Sequence, residues 1–367
     1  MIMPSKVVFV NVKHEENGAQ KAVKRAMELG QWKKYVKGKK IFVKINGISD
    51  QLVPGQCTSP WVIDTVLEEI RKEFPKAEIK MGDANLAAAE QLNRAAKLWG
   101  FLDLAKKYNV EFVNLSEDEL IETDIGGKVF HNLLVPKILL DADCIINLPI
   151  AKTHCLTTVT CCLKNHWGMV PRFRHQYHLV ANQAIADINH FFEKTVFNIV
   201  DATICMEGNA PRTGIPKIGD AIFAGHDRVA IDTAVATFMG FDPSKIEHLK
   251  TAEEMGVGER NYEIVGDEFH RMEFKAPESN KQPIFFWEMS LRKVPLVNKL
   301  IFKTKIFDIF AWVATQYNVI WWYNLHGKKY AKDVIENTWY GNEFKDLWDK
   351  TNGTGKLGKS TDGFKCK

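Results

Sequence analysis

Glycine-rich phosphate loops are scarce in the part of this 367-residue sequence where they would be informative. No G-x-G-x-x-G follows the first strand-like run, and no G-x-x-x-x-G-K-[ST] is read in the strand–helix part of the chain, so neither a standard nucleotide motif nor a dinucleotide or ATP site is expected. Charge of one sign is also in short supply. The formal net charge is only +4, and no basic helix or RNA-binding signature stands out, which argues against nucleic acid as a partner. Long uncharged apolar runs are missing, so no membrane span is expected. The opening residues lack the apolar core and cleavage site of a signal peptide. The seven cysteines are irregularly spaced and without C-x-x-C pairs, which disfavours a disulfide framework or a structural zinc site and points to a reducing, cytoplasmic setting.

What is present is an ordinary globular composition, 46% hydrophobic and 26% charged, able to bury a substantial core. β-branched apolar runs at 7–12, 40–46, 77–81, 110–115, 143–150 and 196–200 read as strands. Helical spacing appears at 18–29, from Pro60 toward Phe74, at 181–192, at 229–238 and from Pro243 toward Met255. The alternation predicts an α/β fold: two lobes with mostly parallel sheets flanked by helices, plus an aromatic-rich C-terminal helical extension. The expected divisions are an N-terminal α/β lobe (1–150), a second α/β lobe carrying the site loop (151–265), an aromatic helical extension (266–350) and a disordered tail (351–367).

The stretch 153–178, THCLTTVTCCLKNHWGMVPRFRHQYH, concentrates side chains that ligate metals, move protons or attack carbonyls. It follows an apolar strand ending at Pro149, as expected of a loop at the carboxyl edge of an α/β sheet. His154 and His178 are candidates for acid–base work or for metal ligation, while His166 and His175 read equally well as hydrogen-bonding residues. Lys164, between Leu163 and Trp167, would have its pKa lowered by desolvation and so become a nucleophile, base or anchor. Lys44, Lys152, Arg172 and Arg174 would make an electropositive pocket for a carboxylate or phosphate. Glu207, Asp227 and Asp232 would supply an acid or base, or neutralise those lysines, with Asp232 reading as the more structural. Cys161 and Cys162 read as small buried hydrophobes.

The order of polar residues resembles the domain-of-unknown-function family numbered 362. The matching positions are Lys44 and Asn46, Gly82-Asp83, Lys152-Thr153-His154, Lys164-Asn165 with Gly168, Arg174 and His178, then Glu207-Gly208 with Pro211 and Gly214, Asp227 with Asp232, and Gly240 with Asp242-Pro243. Ala202 and Ala210 depart from it, standing where the family usually has glycine. The resemblance implies that Lys44, Asn46, Asp83, Lys152, Asn165 and Arg174 hold a ligand or cofactor. Many members carry a ferredoxin-like cysteine segment; here Cys161-Cys162 is the only close pair, so no ferredoxin-type iron–sulfur motif is expected. A more distant likeness is to nickel-pincer lactate racemases, in which a His, a Lys ten positions on and a further His gather around the cofactor. His154, Lys164 and His178 have that arrangement, which implies a metal or metal-organic cofactor.

The C-terminal third is dense in Trp, Tyr, Phe and Lys, and 294–323 has the content of a segment that lies at a membrane surface, on a protein partner or in a homodimer. The leading expectation is an enzyme, an oxidoreductase or a racemase-like isomerase. It would act on a small anionic or membrane-derived substrate by proton or hydride transfer in an inter-lobe cleft, in the cytoplasm or peripherally on a membrane. The alternative is a non-catalytic metal- or cofactor-binding carrier at a membrane surface or in a larger complex.

Overall fold

The computed structural model describes residues 3–86, 91–278, 283–304 and 306–357. Its centre is one ten-stranded sheet in the order β12-β1-β11-β10-β7-β2-β3-β4, with β8 pairing β10 and β9. In chain order the strands are β1 (Ser5–Asn11), β2 (Lys40–Lys44), β3 (Glu78–Asp83), β4 (Glu111–Asn114), β5 (Leu120–Asp124), β6 (Asn132–Pro136), β7 (Cys144–Asn147), β8 (Ile150–His154), β9 (Thr158–Thr160), β10 (Thr195–Asn209), β11 (Thr213–Gly225) and β12 (Tyr262–Gly266). The β5–β6 hairpin stands apart as a second small sheet. Pairing is parallel for β1–β12, β10–β7, β10–β8, β2–β7, β2–β3 and β3–β4, and antiparallel where β11 and β9 enter.

The middle of the sheet is buried on both faces because its central strands carry apolar runs, with alternate residues serving different cores. Ile41, Val43, Ile146 and Ile199 pack on one side with the helices Gly18–Leu29 and Pro60–Glu73. Phe42, Ile145, Val200 and Phe223 pack on the other with Ala181–Phe191 and Arg228–Phe238. Strands from both expected lobes thus share one sheet: β10, from beyond residue 150, pairs in parallel with β7, from before it.

Three local expectations change. The single strand at 143–150 breaks at Leu148-Pro149 into β7 and β8, which lie along the same edge of β10, and Asp201 N donates to Pro149 O at 2.9 Å across the break. Residues 206–214, whose Gly, Asn and Pro content reads as a loop, are instead the end of a long antiparallel hairpin between β10 and β11, paired through Met206–Pro216, Glu207–Ile215, Gly208–Gly214 and Asn209–Thr213. Part of the expected disordered tail is packed. Tyr323 Oη donates to Thr354 O at 2.7 Å, Leu52 N donates to Gly355 O at 2.8 Å, and the Lys356 ammonium sits 4.1 Å from the Tyr323 ring centroid. Residues 358–367 lie outside the described residues.

The aromatic extension divides into two. Tyr340, Phe344 and Trp348 close over Trp61 and Trp99, with Tyr340 and Trp61 stacked at 5.3 Å, so this half is core. The other half, Pro283–Arg292, Pro295–Lys303, Ile306–Gln316 and the π-helical Tyr317–Gly327, caps the carboxyl edge of the sheet.

Candidate functional site

β2, β3 and β7 end side by side, with Lys44 in register with Gly82 and Asn147, and β8 continues beyond them along β10. Their last residues make a buried polar floor. The Lys44 ammonium pairs with Asp83 Oδ1 at 2.7 Å and donates to Ile45 O at 2.7 Å. Asp83 also accepts from Gly47 N and Ala84 N, which fixes its carboxylate. Gly168 leans on this pair: a Cβ there would lie 2.3 Å from Asp83 Oδ1, so a side chain has no room. An amide chain continues the floor, with Asn46 Nδ2 donating to Asn165 Oδ1 (3.0 Å), Asn165 Nδ2 to Asn147 Oδ1 (2.8 Å) and Asn147 Nδ2 to Asn198 Oδ1 (3.0 Å). Each amide is both donor and acceptor, so the network orients every member.

Above the floor is a cavity of about 380 Å³, lined among others by Asn46, Asp83, Lys152, His154, Lys164 and Arg174. Asn165, His175 and His178 join them from the site loop, Arg212 from the β10–β11 turn, and Arg292, Phe307, Phe310 and Tyr317 from the cap. Lys152 donates to Asn46 Oδ1 at 2.7 Å and to Gln56 O at 2.5 Å, and burial lowers its pKa to about 7. Lys164 is partly buried and its ammonium makes no hydrogen bond or ion pair among the described residues; burial, with a smaller contribution from the Arg174 charge, lowers its pKa to about 8. Arg174 donates to Val170 O (2.6 Å) and Asn85 O (2.9 Å), its buried Nε has no hydrogen-bond partner among the described residues, and burial brings its pKa down to about 10.

Burial and the neighbouring cations hold His154, His175 and His178 well below the usual imidazole range, so all three are neutral rings. His154 Nδ1 accepts from Leu156 N at 3.1 Å, leaving its ring proton on Nε2. His178 stacks on Trp167 at 5.7 Å and meets His175 edge-on at 4.9 Å. His154, Lys164 and His178, the trio singled out by the racemase likeness, therefore line one cavity. Neutral imidazoles are donor types that can ligate a metal.

Not every expected residue belongs there. Lys44 lies beneath the cavity as the partner of Asp83 and does not line it; burial lowers its pKa against the pull of that carboxylate. Glu207 also lies off the cavity, engaged by Lys217 Nζ at 3.1 Å and Lys275 Nζ at 3.6 Å. Asp227 caps the helix Arg228–Phe238 through Val229 N and Ala230 N. His166 is fully buried beside Arg228, at 3.5 Å. The side chain of Arg172 lies outside the described residues.

Asp232 accepts from Cys162 N (2.8 Å) and Leu163 N (3.0 Å), tying the turn that presents Lys164. Cys161, Cys162 and Asp232 offer three ligand atoms within 4.8 Å of one another, a candidate metal cluster among the described residues. Burial holds both thiols protonated, raising Cys161 to about 12, so loading this cluster would release protons.

Sequence reading missed Arg212, Arg292, Phe307, Phe310 and Tyr317. Arg212 follows Pro211 of the family pattern and was within reach, whereas the cap residues come from more than a hundred positions downstream of the loop and left no local signal. A pattern was also overlooked in the tail: 353–360 reads GTGKLGKS and matches G-x-x-x-x-G-K-[ST]. Its described part follows the helix Gly341–Asp349 rather than a strand and is packed against Leu52 and Tyr323, so the strand-loop approach of a phosphate-binding loop is lacking.

Together these features define an α/β protein with a cationic, imidazole-lined cavity at the carboxyl edge of its sheet. Residues 41–237 match a domain of unknown function (DUF362), and the chain belongs to that family. It is 27% identical over 267 residues to the thylakoid-associated protein sll1697 of Synechocystis sp., spanning 68% of this chain and 80% of that protein. Among solved structures it is similar to the lactate racemase apoprotein from Thermoanaerobacterium thermosaccharolyticum, with TM-score 0.36 and 17% identity, covering 69% of this chain and 58% of the other.

Proposed function

We propose that the cavity is the active site of an enzyme that binds the carboxylate or phosphate of a small molecule and moves a proton on the adjacent carbon. The observation that carries this reading is Lys164: an amine with pKa lowered to about 8 and no protein partner among the described residues, beside Arg174 and three neutral imidazoles. Buried cations without matching carboxylates are costly unless a ligand supplies the anion. Asp83 lines the cavity but is already committed to Lys44, so the site as a whole favours an anionic guest.

In this reading Arg174 and Lys152 hold the anion, and Lys164 or a neutral imidazole takes the proton as its electron pair passes to the acid carbon framework. Returning the proton to either face completes an isomerisation with no net oxidation. A metal or metal-organic group held by His154, Lys164 and His178 would add Lewis acidity at the same place. The test is exchange of solvent deuterium into a panel of small 2-hydroxy acids and phosphorylated acids, followed by mass spectrometry on protein purified with its native contents. Exchange with one class, lost in Lys164→Arg while the variant still folds, supports the reading. Full exchange in that variant removes Lys164 from the chemistry.

A further inference from the structure

The helices that roof the cavity have a second face. Along Ile306–Gln316 and the π-helical Tyr317–Gly327, Phe307, Phe310, Ala314, Tyr317 and Asn318 line the cavity. Ile309, Trp312, Val313, Ile320, Trp321 and Leu325 lie between them at helical spacing and are exposed, Trp312 and Trp321 by 62% and 63%. Leu296 and Leu300, one turn apart on the preceding helix, are 77% and 53% exposed. The cap is tied to the site loop by Arg292, which donates to His175 O (2.9 Å) and Gln176 O (2.7 Å) and stacks on Phe302 at 4.7 Å. An apolar surface of this extent rimmed by polar residues marks an interaction site.

Charge decides among the occupants. In sequence, 293–329 holds six lysines against one acidic residue, although the whole chain carries only +4. A symmetric dimer through this patch would set like charges against each other. An anionic leaflet complements them, and the Trp, Tyr and Lys content is that of the bilayer interface. No helix among the described residues is long and apolar enough to cross a membrane, so the geometry is that of helices lying on one.

We propose that the outer face of this cap lies on an anionic lipid bilayer, so that the cavity beneath it takes an amphiphile drawn from that surface. The acidic head meets Lys152, Lys164 and Arg174, and the apolar body lies along Phe307, Phe310 and Tyr317. The head-group half rests on the function proposed above; the docking surface stands without it.

The test is flotation of the full chain with phosphatidylcholine vesicles, with and without phosphatidylglycerol, alongside Trp312→Ser/Trp321→Ser. Both tryptophans point away from the cavity, so the double variant should keep its melting temperature while its partitioning falls at least about tenfold. In parallel, dodecanoate should raise the melting temperature more than acetate does, and Lys164→Met should lose protection by both while still floating with vesicles. Failure to float with anionic vesicles at low salt overturns the docking surface, as does a dimer in light scattering that the double variant dissociates. Equal protection by dodecanoate and acetate overturns the amphiphile. Flotation with undiminished acid protection in Lys164→Met overturns only the head-group assignment.

Discussion

Lys44, fully buried, and Lys164, half-buried, are lysines of the same family pattern, and they do opposite things. Lys44 is neutralised by Asp83, and removing its charge leaves a fixed carboxylate buried at the sheet edge. Lys44→Met should therefore lower stability by about 3–5 kcal/mol in urea unfolding. Lys164 has no such partner among the described residues, so Lys164→Met should change unfolding far less, and a change as large as that of Lys44→Met would count against its being the unpaired amine of the cavity. Gly168→Ala tests the same floor from the other side: with 2.3 Å between its Cβ and Asp83 Oδ1, it should destabilise the protein by a similar mechanism although it adds one methyl group. The sequence could nominate both lysines because each stands in the family pattern; it could not tell them apart, since the answer depends on which carboxylate reaches which amine across the sheet.

At the scale of elements, the apolar runs and caps read well. The helix expected at 18–29 is found as Gly18–Leu29, and Pro60 opens its helix as the first residue. What was illegible was continuation. The β10–β11 ladder runs through Asn209 and Thr213 because each strand is completed by the other, a long-range fact that local composition reads as a loop. Likewise the cap is placed by Arg292 bonding to carbonyls of a loop more than a hundred residues away. Arg292→Ala should loosen the cap without unfolding the sheet. Hydrogen exchange should rise selectively in 283–327, while the β2–β3–β7 amides keep their protection.

For the whole molecule, the α/β class was legible from strand–helix alternation, whereas the single sheet was not, because β10 returns to pair with β7 only after the site loop has been laid down. That crossing is what gathers Lys152, Lys164 and Arg174 around one space. The shifts have a defined sign: burial disfavours the cationic amines, so an entering anion restores them. Binding of a small carboxylate above about pH 7 should thus be accompanied by proton uptake, and affinity should fall as pH rises from there through about 8 and on until the anion-raised values of the complex are passed. Calorimetry in buffers of different ionisation enthalpy reads the uptake directly.

The central claim is that Lys164 is an unpaired amine poised in an anion-binding cavity, and it is tested most directly by acylating the native protein with a neutral amine-selective reagent across pH and quantifying each lysine by mass spectrometry. The account predicts a midpoint for Lys164 near pH 8, below that of the surface lysines, and protection of that one site by an acid that binds. A midpoint in the ordinary lysine range, with no protection by any acid that raises the melting temperature, would contradict it.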